Sequence, residues 1–482
     1  MVFQPAAALV IAQCLARQDG IPLIPAIIDE CNKHVAETSS KLLGYALLIC
    51  AVLKHVDRKH LLAHISSIRE AAATHFPLKK AGTDTLTRKI FIKMVQRLAR
   101  GKRRLDENLK STDTSLTEKN SAHLNGNGMG GEDIIYDEEI DDEQPDEVVE
   151  WAIGCVLCAL SDDHTTVRWS AAKGVGRITA RLPKELAAQV VDSILSSNFH
   201  RLAGHCSWHG GCLALAELSR RGFLLPEALE RAFPIVQQAL FYEEPMGRHA
   251  LGSNVRDAAC YVLWAFARAY EPEQLKCYTD SVATNLMCAA GFDREVNLRR
   301  AASAAFQENV GRQGNFPDGI ALLTITDYFA VGNRWRCYTK VCVEVVRFPK
   351  YADAIVDHLL DNKIIHWDEV VREQAAIALS LIAPFHPLYL TARLDTLLSG
   401  CSSTNPVHRH GYLLALSHSL QGLLLSGYSC DKEILRNAIA LPWKLKAESE
   451  KLKVSGGELT RLALSAFIRC LSSIPVELTA EE

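Results

Sequence analysis

Four short stretches of this chain repeat one pattern: an apolar residue, an arginine, then a cluster of small residues. They are Val167-Arg-Trp-Ser-Ala-Ala172, Val255-Arg-Asp-Ala-Ala-Cys260, Leu298-Arg-Arg-Ala-Ala-Ser303 and Val371-Arg-Glu-Gln-Ala-Ala376. Their arginines, Arg168, Arg256, Arg299 and Arg372, are separated by 88, 43 and 73 residues. Those intervals correspond to two, one and two units of about 36–44 residues, inside the range of HEAT or armadillo repeats. Ser207-Trp-His-Gly-Gly-Cys212 and Asn333-Arg-Trp-Arg336 fall where missing units belong, and Val407-His-Arg-His-Gly411 continues the series. One helix pair of this kind cannot cover its own apolar face, so the pattern predicts stacked pairs around a continuous core.

The register within a unit supports this. Val167, Ala171, Gly174 and Ile178 lie on one helical face, and Val255, Ala259, Val262 and Phe266 repeat the spacing. The small residues at the start of each face let a neighbouring helix approach closely. Further helices are expected over Lys184–Ser196, Glu227–Leu240, Glu273–Ala289 and Tyr351–Leu360. Pro183, Pro226, Pro272 and Pro349 stand just before or inside their first turns, where a missing N–H costs little. The expected fold class is all-α, a HEAT/armadillo-type helical-repeat solenoid curved into a rod.

The 482 residues divide by composition. Residues 1–105 read as N-terminal helical repeats, with helical spacing over Lys41–Lys54, His60–His75 and Thr85–Arg100. Residues 106–147 contain Asn125-Gly-Asn-Gly-Met-Gly-Gly131 and then Glu132–Glu147, which holds ten carboxylates and no Lys or Arg. So few large apolar groups cannot offset the entropy of ordering, and a disordered acidic linker is expected. Residues 148–475 form the main repeat array, and 476–482 a tail.

Charge and apolar content exclude several classes. The formal charge is −3, with no overall basic field to mark a nucleic-acid binder. The longest apolar run, Tyr45–Leu53, is nine residues, well short of the ~20 a membrane-spanning helix needs. Met1–Ala12 has an apolar stretch without a basic n-region and reads as a core helix rather than a signal peptide. Fifteen scattered cysteines read as buried free thiols of a reducing compartment, which implies a cytoplasmic protein. No phosphate-binding loop, His-Glu-x-x-His or Gly-x-Ser-x-Gly occurs, and Gly174-Val-Gly176 lies inside a helical pattern. No catalytic residue, cofactor or metal is assigned. His205, His209 and Cys212 could share a helix face, but no second ligand pair has a recognised spacing, and helix packing is the preferred reading. Cys155-Val-Leu-Cys158 has redox spacing within an apolar helix, where buried structural thiols are expected.

The arginine series has two readings. In one, each Arg caps or bridges neighbouring repeats; in the other, the arginines form a basic ladder for an acidic protein partner. Trp264, Phe266 and Tyr270 follow core spacing. Two polar, Gly-containing places, Phe306–Pro317 and Tyr328–Arg334, are loops on a scaffold. They offer Asn309, Arg312 and Asn315 as contact candidates, against a reading as inter-repeat turns. The candidate partner contacts are Trp208, His209, Arg256, Arg299, Arg300, Asn309, Arg312, Tyr328, Phe329, Asn333 and Arg334. The acidic run reads as a solvated tether, with occupation of a basic face as the alternative.

Several long strings resemble the tubulin-folding cofactor D (tubulin-specific chaperone D) family. They are Val167–Arg177, Trp208–Leu218, Asn254–Tyr261 with Trp264–Pro272, Arg299–Gly314 and Asp327–Arg334, in the family's order over roughly 150–380. The resemblance fades beyond about 430. Family members are much longer, so the chain is expected to correspond to an internal portion. The resemblance implies a non-catalytic helical-repeat chaperone that captures β-tubulin and works with cofactors C and E. It implies a part in assembling or dismantling the α/β-tubulin heterodimer, and binding of an Arf-like small GTPase. It further implies stimulation of GTP hydrolysis only as part of that complex, and a cytoplasmic setting on the microtubule cytoskeleton. Two alternatives remain at this stage: a generic HEAT scaffold that does not touch tubulin, and a GTPase activator in which Arg312 or Arg334 supplies charge to a phosphoryl transition state.

Overall fold

The computed structural model describes residues 3–34, 39–75, 84–112, 147–200, 202–247, 249–452 and 457–473. The chain divides into two units, Met1–Leu225 and Pro226–Glu482. The 113–146 stretch, which holds most of the expected acidic linker, lies outside the described residues, as does the expected tail 476–482; residues 106–112 are helical.

The first unit contains α1 (Phe3–Leu15), α2 (Ile24–His34), α3 (Ser39–His55), α4 (Ile65–His75), α5 (Thr85–Thr112), α6 (Glu147–Ala159), α7 (Thr165–Thr179), α8 (Lys184–Ser197) and α9 (His205–Ser219). Helices α1, α3, α5, α7 and α9 pack side by side in one layer, each on the next. Helices α2, α4, α6 and α8 lie against that layer, pairing with α3, α5, α7 and α9 respectively or with their neighbours. This is the two-layer stacking expected of helix-pair repeats. The predicted face of α7 is the packed one: Val167, Ala171, Gly174 and Ile178 are all buried. Asp84 caps α5, its carboxylate accepting from the Thr87 backbone N–H at 2.8 Å.

The second unit opens with α10 (Leu229–Leu240) and a hairpin of β1 (Glu244–Met246) and β2 (His249–Leu251), paired antiparallel with Glu244 opposite Leu251. There follow α11 (Ser253–Ala269), α12 (Pro272–Leu275), α13 (Thr279–Phe292), α14 (Val296–Gln313), α15 (Gly319–Ile325), α16 (Arg334–Arg336), α17 (Cys342–Val345), α18 (Pro349–His358) and α19 (Glu369–Ile382). The unit closes with α20 (Pro387–Thr391), α21 (Leu394–Gly400), α22 (Pro406–Leu425), α23 (Lys432–Leu452) and α24 (Gly457–Ser472). Helix α11 packs on α14; α19 packs on α22, and α22 on α24, with α13 against α18 in the second layer. Wide π-helical turns at Cys337–Val341 and Leu359–Lys363 extend α16 and α18. Val255, Ala259, Val262 and Phe266 are buried on α11, as their spacing requires. Phe266 meets Phe233 edge-on at 5.2 Å, and Phe233 stacks on Tyr278 at 3.8 Å. The fully buried rings of Phe233 and Phe266 each contribute roughly 1.5–3 kcal/mol.

Three local expectations differ. The hairpin has no counterpart in the sequence reading, because three-residue strands are too short to show a two-residue period. Glu273–Ala289 is two helices, α12 and α13, joined by a 3₁₀ turn at Lys276–Tyr278. His60–His75 is likewise 3₁₀ turns followed by α4. In both places an apolar helical period continues through a turn of tighter pitch, so spacing alone does not register the break.

Candidate interaction surface

The recurring arginines are interior ties. Arg168, Arg299 and Arg372 are each about 2% exposed or less, and Arg256 is buried as well. Arg168 donates from Nε to His209 Nδ1 at 2.7 Å and from a terminal nitrogen to the Asp162 carbonyl at 2.6 Å. Arg372 repeats both bonds, to His410 Nδ1 at 3.1 Å and to the His366 carbonyl at 2.8 Å. Arg299 donates to the Asp293 carbonyl at 2.9 Å and reaches the Val331 and Gly332 carbonyls at 2.7 and 3.1 Å. Arg256 grips the Asp293 carboxylate, 2.7 Å from Nε to Oδ2, and the Tyr242 carbonyl at 2.9 Å. Each guanidinium thereby satisfies loop carbonyls before its own helix and reaches a group 32 to 41 residues further on. This is how one rigid fork of donors ties consecutive repeats together.

Carboxylates at the same loops complete the ties. Asp162 lies 3.2 Å from Arg88, and Asp368 accepts from Arg294 at 2.7 Å while capping α19. Burial works to raise the Asp368 carboxyl, but the bond and charge of Arg294 hold it below the usual range. Glu243 is held low in the same manner by His366, whose Nε2 is 3.2 Å from its carboxylate. Asp162, Asp293 and Asp368 escaped the sequence reading; a signal is visible for three of the four repeat arginines, an Asp four to six residues before Arg168, Arg299 and Arg372.

Among the proposed contacts, Trp208, His209 and Asn309 are buried along with Arg256 and Arg299. Trp208 meets Phe199 edge-on at 5.3 Å. His209 accepts the Arg168 bond, and burial followed by the Arg168 charge lowers its pKa to about 3. Asn309 donates to the Ala305 and Leu263 carbonyls at 2.8 and 3.3 Å. Cys212, the remaining residue of the His/Cys cluster, is fully buried, which pushes its thiol up to about 12. Among the described residues no three His, Cys, Asp or Glu side chains converge as a metal ion would need, and no helix is long and apolar enough to cross a membrane. The gap between Phe233, Leu263, Phe266, Tyr278 and Phe316 has room for little more than a water molecule.

The rest of the proposed contacts reach the surface in and around the segment after α14. Arg312 is exposed and pairs with Glu308 at 3.0 Å. Tyr328 and Phe329 are exposed, with rings 5.6 Å apart at 85°. Half-buried Arg300 lays its guanidinium over the Tyr328 ring at 4.0 Å. Asn333 caps α16, accepting from the Arg336 N–H at 3.1 Å, and Arg334 lies 3.7 Å from Asp368. Asp327 folds the segment by accepting from the Phe329 and Ala330 N–H groups at 2.8 and 2.6 Å. Trp335 joins this surface without having been picked out. Its polar neighbours Arg334 and Arg336 were the available signal, but the Asn333–Arg336 stretch reads in sequence as the place of a missing repeat unit.

Comparison with known proteins follows the same repeats. A family model described as tubulin-specific chaperone D-like, ARM repeats, matches residues 79–320. A tubulin-specific chaperone D of Dictyostelium discoideum is 37% identical over 318 residues, 64% of this chain and 22% of that protein. A tubulin-folding cofactor D of Schizosaccharomyces pombe is 30% identical over 309 residues, 61% of this chain and 28% of that protein. The aligned region thus spans about a quarter of the length of these relatives. A solved importin beta superposes with a TM-score of 0.38 at 12% identity, covering 97% of this chain and 61% of that one.

Proposed function

The chain belongs to the tubulin-specific chaperone D-like family, and from that premise we propose that it acts as a non-catalytic tubulin-folding cofactor. In this reading its repeats hold β-tubulin and support assembly or disassembly of the α/β-tubulin heterodimer together with cofactors C and E. The observation that carries the reading is the match of the repeat region to tubulin-folding cofactors at 30–37% identity. Stacked helix pairs suit that task, since they offer extended surface rather than a cleft.

The same reading includes an Arf-like small GTPase as a partner and a cytoplasmic, microtubule-associated setting. It assigns any stimulation of GTP hydrolysis to the complex of cofactors. Arg312 and Arg334, the arginines suited by position to act on a phosphoryl group, are engaged by Glu308 and Asp368. The test is retention of β-tubulin by the immobilised chain at micromolar concentration. Retention supports the reading, and none, with the chain verified as folded by circular dichroism, counts against it.

A further inference from the structure

Large apolar side chains rarely cluster on a surface without a purpose. Between Ile320 and Trp335 this chain exposes four: Ile320 at 78%, Tyr328 at 55%, Phe329 at 81% and Trp335 at 52%. The charges around them are unbalanced. Two nearby carboxylates are occupied internally, Asp327 by the Phe329 and Ala330 N–H groups and Asp368 by Arg294 and Arg334, while exposed Asp318 and Glu344 lie at the edges of the segment, beside Ile320 and one turn beyond Lys340. The nearby cations are open: Arg300, Arg336 and Lys340 make no ion pair among the described residues, and Arg300 Nε is buried without a hydrogen-bond partner. Arg300 is nonetheless fixed in place by its stacking on Tyr328. Arg336 and Lys340 sit one turn apart where α16 passes into the π-helical turn, a backbone form found often at functional sites.

We propose that Tyr328, Phe329 and Trp335, with Arg300, Arg336 and Lys340, form a docking surface for an acidic peptide segment of a partner protein, one carrying carboxylates beside apolar side chains. Exposed rings supply contact area at low entropy cost, and guanidinium groups recognise carboxylates with geometric specificity. Three cations without a continuing basic groove do not track a phosphate backbone, which separates this surface from a nucleic-acid site. The inference rests on this surface alone and is independent of the client's identity.

The test contains no tubulin, so its failure leaves the folding-cofactor reading standing. A fluorescein-labelled peptide of repeated Glu-Glu-Tyr-Glu-Leu is titrated with the full chain, and anisotropy is read at low and high salt. Saturable binding that weakens with salt is expected. Phe329→Ser with Trp335→Ser should weaken it about tenfold. Arg336→Gln with Lys340→Gln, both at exposed positions, should weaken it similarly and flatten its salt dependence. Leu388→Ser, at a residue 83% exposed on α20, should leave binding unchanged. Equal binding of a peptide with Gln in place of every Glu would overturn the proposal. So would tighter binding of a single-stranded oligonucleotide, or equal weakening by Leu388→Ser.

Discussion

Arg168 Nε stands 2.7 Å from His209 Nδ1, a bond between side chains 41 residues apart that is closed off from water on every side. The second unit contains the same device, Arg372 bound to His410 at 3.1 Å. The likeness extends further. A glycine follows each histidine, and a Cβ at Gly210 or Gly411 would overlap the carbonyl oxygen of Leu160 or Ile364, each eight residues before the arginine. Two stretches of different sequence thus build the same joint: a guanidinium fork, a neutral imidazole acceptor and a bare backbone contact. The joint shows how Arg168 and Arg372 are accommodated at buried helix starts, where isolated charge is costly.

Removing the fork orphans its acceptors. Arg168→Ala leaves His209 Nδ1 and the Asp162 carbonyl buried without donors, at about 1–3 kcal/mol for each. A loss of roughly 3 kcal/mol or more is expected in urea denaturation followed by circular dichroism. Arg168→Lys should recover only part of it, because an ammonium on a flexible stem cannot span both acceptors in the fork's geometry.

The same bonds make stability depend on pH in a defined direction. Burial, and then the adjacent guanidinium, lowers His209 to about 3 and His410 to about 4. In the unfolded chain both take a proton near 6.5. Between those values the unfolded state binds more protons than the folded state, so stability falls as pH drops below about 6.5 and the loss grows toward pH 4. The slope is on the order of 1 kcal/mol per pH unit for each histidine. Urea midpoints at pH 7.5 and 5.5 should differ, and His209→Gln with His410→Gln should shrink the difference. An undiminished difference in that double variant would contradict the assignment.

The stacking was legible in the sequence because burial repeats at helical spacing: Val167 to Ile178 and Val255 to Phe266 occupy the packed faces their intervals predict. The arginines were legible as a series but not as ties, because the partners of a long cation are loop carbonyls, and carbonyls carry no sequence signature. Trp208 and His209 look chemically equipped for contact, yet α9 is buried along nearly its whole length from Trp208 to Ser219, which no local window reveals. Phe329 shows the reverse: it was legible as a contact from its place in a polar, Gly-containing loop, and it is exposed. Trp335, in the same segment, is not singled out by the sequence, and only the fold of Asp327–Arg336 turns it outward.

Close backbone approach at Gly210 gives a third prediction. Gly210→Ala adds one methyl group where α9 lies against the end of α6, and the atom it meets is backbone, which cannot rotate away. Destabilisation of about 2–4 kcal/mol is expected, more than helix propensity alone would regain. Gly154→Ala makes the control, since an added Cβ there meets nothing. It should be neutral or slightly stabilising in the same thermal melts.

The Arg256–Asp293 pair tests whether a buried charge matters more by its presence or by its balance. Both side chains are nearly inaccessible, and Asp293 also accepts from the Glu295 N–H at 2.8 Å. Asp293→Leu leaves the guanidinium with only the looser pair to Glu243 at 3.8 Å and should cost roughly 3 kcal/mol. Adding Arg256→Met removes the poorly compensated charge and should restore part of the loss. A double variant whose loss equals the sum of the two single losses would show that guanidinium and carboxylate act independently, leaving the loop carbonyl of Tyr242 as the bond that matters to Arg256.

Thiol chemistry reads out the same packing without perturbing it. All fifteen cysteines are free, but contrary to the expectation of buried thiols they divide by environment, and Cys158 of the Cys155–Cys158 pair faces outward because its helix leaves one side uncovered. Cys14, Cys158 and Cys277 are exposed, whereas burial pushes Cys212, Cys288 and Cys401 up to about 12. Alkylation requires the thiolate and access to it, and the buried three have neither at pH 8. Iodoacetamide at that pH, followed by peptide mass mapping, should label the exposed three within minutes. Cys212, Cys288 and Cys401 should stay unmodified until urea opens the helical layers, because their exposure requires unfolding of the repeats that hold them. Rapid native labelling at Cys212 would mean that α9 separates from its neighbours on a short timescale, and the Arg168–His209 joint could not then be the rigid tie its geometry describes.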